Sequence, residues 1–460
     1  MISRRTFAAS SLAALAFAGL MRRGFAQSGD DAYRNEVPGY GPLVPDPAGL
    51  LDLPAPFTHR VISSAGEVMD DGYFTPDHFD GMACFALGRR RVALVRNHEL
   101  TPELGARGPA GENTGLAERL ARASHYDRDN DGHVLPGGTS TIVYDLVRGR
   151  RERQYLSLAG TVVNCAGGET PWGSWLSCEE NVIRRGTVGQ DHGWVFEVPS
   201  RHLGLVAPVP LRGLGRFRHE AAAVDPRTGI VYLTEDRDDS LFYRFIPERN
   251  RALSGPGRLQ ALMLADRPGA DTRNWDAVAV SPRSSHPVRW LDLDEPESPA
   301  DDLRVRGHAA GAAIFARGEG IHRGAGEYYF TCTSGGRIRA GQIMRYVPSA
   351  REGQADEARA PGRLELFVES SDPAVIDYAD NLTVAPWGHL IVCEDRGSSE
   401  ICHLKGVTPT GRIYTLARLR GDSELAGVCF SPDGATLFVN IYRPGRTLAV
   451  TGPWGAVRSG

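Results

Sequence analysis

Short apolar runs recur along the chain, each opened by a turn and closed by acids or amides. Val92-Ala93-Leu94-Val95 leads into Asn97-His98-Glu99, Trp175-Leu176-Ser177-Cys178 into Glu179-Glu180, and Ile230-Val231-Tyr232-Leu233 into Glu235-Asp236. Leu390-Ile391-Val392-Cys393 precedes Glu394-Asp395, and Leu437-Phe438-Val439 precedes Asn440. A further run, Tyr328-Tyr329-Phe330-Thr331-Cys332, keeps the strand and loses the acid. Self-similar units separated by insertions predict an all-β fold of the β-propeller type. In that reading each apolar run is an inner strand, and Asn97, Glu180, Glu235 and Glu394 converge on one mouth of the channel.

Residues 137–145, 193–198 and 341–347 alternate as further blade strands. Residues 113–124, with Leu116, Ala117, Leu120 and Ala121 at helical spacing, predict one short helix. Residues 27–56 read as an extended arm rich in Gly, Pro and Asp, and 292–302 and 349–363 as surface insertions. No linker divides residues 27–460, which are expected to form one domain.

The N-terminus adds an address. Ser3-Arg4-Arg5-Thr6-Phe7, the small apolar stretch 8–20 and Gly24-Phe25-Ala26 form a twin-arginine export signal over residues 1–26. Its partner is the twin-arginine machinery, and its destination is the periplasm or beyond. Removing it deletes four arginines and no acid, so the formal charge moves from −4 to −8. An acidic exported chain with no basic stripe is a poor nucleic-acid binder. It also has no apolar run of membrane-spanning length.

Clustered carboxylates repel unless a cation neutralises them, so the repeated acids point to a metal site. Cys165 stands out among seven cysteines because it sits in a glycine turn, Asn164-Cys165-Ala166-Gly167-Gly168. A thiolate beside carboxylates suits iron better than calcium, which takes oxygen. Arg317-Gly318-Glu319-Gly320 places a guanidinium and a carboxylate on one side of an extended segment. Asp127-Arg128-Asp129-Asn130-Asp131-Gly132 matches the opening of a calcium loop, with Gly138 where the closing glutamate belongs; a tight Asp-Gly turn is the other reading. His98-Glu99 and His219-Glu220 do not continue as a zinc-peptidase motif, and the nucleophile-elbow, P-loop and dinucleotide signatures are missing. Lys405 is the sole lysine, so cationic chemistry falls to arginine.

Together Asn97-His98-Glu99, the Cys165 turn with Pro171-Trp172-Gly173-Ser174-Trp175 and Glu179-Glu180, Arg216-Phe217-Arg218-His219-Glu220, Tyr232-Leu233-Thr234-Glu235-Asp236 and Arg317-Gly318-Glu319-Gly320 resemble the PhoX-type alkaline phosphatases. Asn381-Leu382-Thr383-Val384-Ala385-Pro386-Trp387-Gly388, Phe430-Ser431-Pro432-Asp433-Gly434 and Thr451-Gly452-Pro453-Trp454 extend the resemblance over almost all of the mature chain. It implies a twin-arginine-exported, six-bladed propeller that hydrolyses small-molecule phosphate esters with ferric iron and calcium in its channel. On that pattern Cys165 is an iron thiolate, Glu220 or Glu235 and Glu319 are iron carboxylates, Glu180 serves calcium or iron, and Arg317 clamps phosphate. Asn97, Glu99, Glu179, Asp236 and Glu394 complete the expected metal set. A calcium-dependent lactonase-type propeller, which needs no cysteine ligand, and a non-catalytic binding propeller are the alternatives. The sequence carries no statement of oligomeric state.

Overall fold

Alternating runs of β-branched and aromatic residues form the strands, and antiparallel hairpins join these into sheets around a central channel. The computed structural model describes residues 33–112, 114–396 and 401–458, so the export segment lies outside the described residues. The fold is all-β and β-propeller-like, with few helices. One sheet runs from Phe79–Ala86 through Arg91–His98 and Gly137–Asp145 to Arg150–Thr161. The next joins Asn164–Glu169, Ser174–Glu179 and Val195–Pro199.

A nine-stranded sheet follows. One end holds His219–Val224, Val231–Glu235, Tyr243–Pro247 and Gly257–Leu264; the other holds Gly318–Arg323, Tyr328–Cys332, Gln342–Val347 and Arg363–Glu369, with Ser285–Asp292 between them. Ala379–Val384, Leu390–Glu394, His403–Val407 and Ile413–Leu419 form another sheet, extended by Leu51–Pro54 and Leu43–Val44. Leu425–Phe430, Thr436–Ile441 and Arg446–Thr451 form the last, and the early strand Thr58–Ser64 completes it. Phe79–Ala86, Asn164–Glu169, His219–Val224, Gly318–Arg323, Ala379–Val384 and Leu425–Phe430 each pack on the next, and the last packs back on the first.

The recurrent apolar runs are therefore the second strand of each unit, not the innermost one. Arg91–His98, for example, pairs with Phe79–Ala86 on one side and Gly137–Asp145 on the other. Strands that converge on an axis leave no room for a row of large side chains. A Cβ on Gly168 would lie 1.9 Å from the Ala222 carbonyl oxygen, and one on Gly427 2.3 Å from that of Asp80.

Three other segments depart from expectation. The 27–56 arm, from residue 33 onward, supplies outer strands, and buried Asp52 accepts Arg418 Nη2 at 2.6 Å and Arg420 Nε at 2.8 Å. The 349–363 insertion is anchored rather than free: Glu352 and Glu357 reach Arg244, itself 2% exposed, with Glu357 at 2.7 Å. The helix spans Leu116–Arg122, shorter than 113–124, and Asn113 lies outside the described residues.

Removing one partner of a buried ion pair strands the other charge. Arg244→Ala is therefore expected to cost about 3–5 kcal/mol and to lower the chemical-denaturation midpoint. An unchanged midpoint would mean that the insertion does not anchor on this residue.

Candidate metal centre

At one mouth of the channel every unit repeats one backbone pattern. The first residue of each inner strand pairs with the last of the second strand: Phe79 with His98, Asn164 with Glu179, His219 with Glu235, Gly318 with Cys332, Ala379 with Glu394, Leu425 with Ile441. The register then shifts in every pair, a β-bulge of the kind that re-aims a side chain. The second residues of the inner strands are Asp80, Cys165, Glu220, Glu319, Asp380 and Ala426.

One residue beyond each second strand a backbone N–H donates back to the chain entering the inner strand. The pairs are Glu99 to His78, Glu180 to Val163, Asp236 to Arg218, Thr333 to Arg317, Asp395 to Tyr378 and Tyr442 to Glu424. His78, Val163, Arg317 and Tyr378 share positive φ, between 45° and 52°. That backbone strain belongs to the repeat, and in one unit it carries Arg317.

Three groups of potential ligand atoms result, each with its atoms within 4.8 Å of one another: Asp80, Glu99 and Cys165; Cys165, Glu180 and Glu220; Glu220, Glu319 and Asp380. Neither oxygen of buried Glu220 meets an N–H or O–H donor, and Oδ1 of Asp80 is likewise unpartnered. Burial first, then mutual repulsion, lifts these carboxyls above their ordinary range, Glu99 and Asp380 to about 7. The Cys165 thiol is raised by burial and by Asp80, Glu220, Glu99 and Glu180. Crowded, dry carboxylates with unfilled lone pairs form a cation site in chemical terms.

Among the described residues Arg317 is the cation within hydrogen-bonding reach, with Arg218 3.9 Å from Glu180. Its Nε and Nη2 donate to Asp236 at 2.8 and 3.1 Å, and Nη2 also donates to Glu319 at 2.7 Å. Burial works against its charge, but Glu319 and Asp236 outweigh that and hold the guanidinium above its usual value.

Neighbouring acids on one strand divide their work. Glu180 joins the cluster, while Glu179 takes His192 Nδ1 at 2.7 Å and the N–H groups of Val162, Gly193 and Trp194. Asp236 holds Arg317, while Glu235 accepts the Tyr243 hydroxyl at 2.6 Å. Asp395 lies 3.9 Å from Arg317, while Glu394 faces His403 at 2.8 Å and Lys405 at 3.6 Å. The structure thus turns Glu179, Glu235 and Glu394 into the sheets, because adjacent strand residues face opposite ways.

Asn97 is also engaged with protein. Its amide donates to the carbonyls of Cys165 at 3.0 Å and Ala166 at 2.7 Å, and its oxygen accepts Trp175 and Ser177. Asn440, Thr234 and Thr331 hold the Asp80, Glu319 and Asp380 carbonyls in the same way.

The 127–132 loop is held both by its own turn and by residues 186–192. Asp127 accepts His192 and the Gln190 N–H, and Asp129 accepts the Asp131 and His133 N–H groups. Asp129, Asp131 and His133 form a further close group, but the hydrogen bonds are those of a tight Asp turn.

Asp80 and Asp380 were not singled out from sequence. Asp80-Gly81 and Asp380-Asn381 follow the signature of Cys165-Ala166, Glu220-Ala221 and Glu319-Gly320, one ligand atom donor before a small or short residue.

A family model described as "Alkaline phosphatase PhoX" matches residues 38–126 and 140–445. Among solved structures, Pseudomonas fluorescens PhoX in complex with vanadate aligns at 20% identity and a TM-score of 0.63, covering 92% of this chain and 98% of that one. A gluconolactonase from Xanthomonas campestris aligns at 12% identity and a TM-score of 0.38, covering 91% and 100%. No curated protein sequence matches the chain.

The raised carboxyls make a signed prediction for protein held in chelator. Folded Glu99 and Asp380 keep protons to about pH 7, whereas unfolded carboxyls lose them near 4.5 and 3.8, so rising pH destabilises the fold through them. Histidines neutralised by burial titrate in the opposite sense, so the test is a difference between proteins. Glu99→Gln/Asp380→Asn should melt above the unsubstituted protein, by a margin that widens between about pH 5 and 8. A margin that stays flat or narrows would contradict the crowding.

Proposed function

The chain belongs to the PhoX alkaline phosphatase family, and on that premise we propose a six-bladed propeller that hydrolyses phosphate esters outside the cytoplasm with iron and calcium at its channel mouth. It is a phosphoric ester hydrolase acting on small phosphate esters; its family is metal-dependent and secreted. The closed ring of inner strands and the repeated N–H bond to each of them support the blade count.

The observation that carries the metal reading is the ligand set itself. Asp80, Glu99, Cys165, Glu180 and Glu220 share a thiol with carboxylates and suit iron, whereas Glu220, Glu319 and Asp380 offer oxygen alone and suit calcium. Glu220 belongs to both groups, and its two unpartnered oxygens fit a bridging role. Bound cations would supply charge neutralisation at phosphate oxygens and acidified water near neutral pH.

The chain's own residues do the rest. Asp236 and Glu319 fix the Arg317 plane and leave its Nη1 edge for a phosphate oxygen, where a planar guanidinium adds directed donors. The vanadate named for the Pseudomonas protein is a transition-state analogue, and an anion of that shape is what this edge would grip. Asn97, Asn440, Thr234 and Thr331 hold the ligand-bearing backbone in place through its carbonyls.

Iron held partly by thiolate absorbs visible light, so purified protein should be coloured. Cys165→Ser should bleach it and cut hydrolysis of an aryl phosphate. Arg317→Ala should keep the colour and lose about 10²–10³ in kcat. A colourless, iron-free enzyme with full activity would overturn the metal assignment. For export, Arg4→Lys with Arg5→Lys should hold precursor in the cytoplasm, and normal periplasmic accumulation would refute the signal reading.

A further inference from the structure

The acidic collar at the mouth has a gap. Glu99, Glu180, Asp236 and Asp395 hold four of its six positions and Tyr442 a fifth, but the Gly318–Arg323 unit places Thr333 in the remaining one, with its hydroxyl spent on the Ala379 carbonyl. The loop that follows, up to Gly341, lies on the metal side, next to Arg317, because the Thr333 N–H bonds the Arg317 carbonyl.

That loop carries cations. Trp275 donates its indole N–H to the Ser334 carbonyl at 2.7 Å and carries two guanidiniums over its ring, Arg273 at 4.2 Å and Arg339 at 4.3 Å from the ring centre. Arg273 is neutralised by Asp271 through two bonds. Of the acids nearby, Asp239 pairs with Arg304, Asp301 with Arg237, and Asp238 accepts the Ser334 hydroxyl. Exposed Arg339 makes no ion pair among the described residues. An indole face fixes the plane of a guanidinium while leaving its N–H edge free.

We propose that Arg339, held on Trp275, is a second anion contact of the active site, and that the enzyme favours phosphate esters whose leaving group carries a further anionic group. The proposal rests on the phosphate-ester reading above. Arg317 grips the scissile phosphate, and Arg339 meets the far end of the substrate on the side where Thr333 stands in place of a collar acid. Trp275 is a positioning residue.

The test compares two alkyl phosphates of similar size, glucose 6-phosphate and 6-phosphogluconate, by release of inorganic phosphate from the metal-loaded enzyme. The carboxylate substrate should show a kcat/KM higher by about tenfold, the worth of one hydrogen bond to a charged group. Arg339→Gln, and separately Trp275→Leu, should bring that ratio close to one, and Arg339→Lys should restore part of it. High salt should compress the ratio in the unsubstituted enzyme. Equal hydrolysis of both esters, or a preference that survives Arg339→Gln, would overturn the inference. Release of phosphate from neither ester would instead overturn the phosphatase reading, which keeps the two failures distinct.

Discussion

The close approach of the inner strands at the channel axis is the constraint on which everything else rests. A Cβ on Gly81 would stand 2.5 Å from the Ala166 Cα, and one on Gly320 2.8 Å from the Asn381 Cα. Glycine, alanine and, in one unit, Asn381 occupy the positions where one strand's backbone meets the next, so the strands there have few side chains with which to hold themselves. Hydrogen bonds from the neighbouring second strand take over, from Asn97, Thr234, Thr331 and Asn440 to the carbonyls of Cys165, Glu319, Asp380 and Asp80. The carbonyls so held belong to residues that would bind cations. Packing and ligand placement are therefore one problem with one solution.

This explains which parts of the molecule could be read in the sequence. Runs such as Leu390-Ile391-Val392-Cys393 announce strands because they are buried on both faces, and their recurrence announces a repeat. Their rank in the sheet was not legible. The true inner strands are written in Gly and Ala with one isolated acid, which looks like a turn, as in Gly318-Glu319-Gly320 or Asp80-Gly81. Cys165 and Glu319 stood out because a thiol in a glycine turn and an arginine two residues from a glutamate are unusual, whereas Asp80 and Asp380 had no such neighbour.

The paired acids were the harder case. In Glu179-Glu180, Glu235-Asp236 and Glu394-Asp395 both members are plausible ligands by composition. Strand alternation says that only one of each pair can face the channel, but the parity depends on where the register shifts, and the shift lies on the neighbouring strand. A single sequence carries no mark of that shift. The inward members face the cluster and Arg317, and the outward ones find His192, Tyr243 and His403 within the sheets.

The same electrostatics orders events at the mouth. With the cluster uncompensated, Asp80, Glu99, Glu180, Glu220, Glu319 and Asp380 raise one another's proton affinity, and Arg317 is already committed to Asp236 and Glu319. A phosphate ester approaching that surface meets repulsion on most of the rim. Cations held by these residues would supply positive charge in place of the protons, and the Arg317 edge would then add to an attractive site rather than stand as a lone exception. Substrate affinity would then follow metal occupancy, since the acids that repel the ester are the ones that would hold the charge it needs.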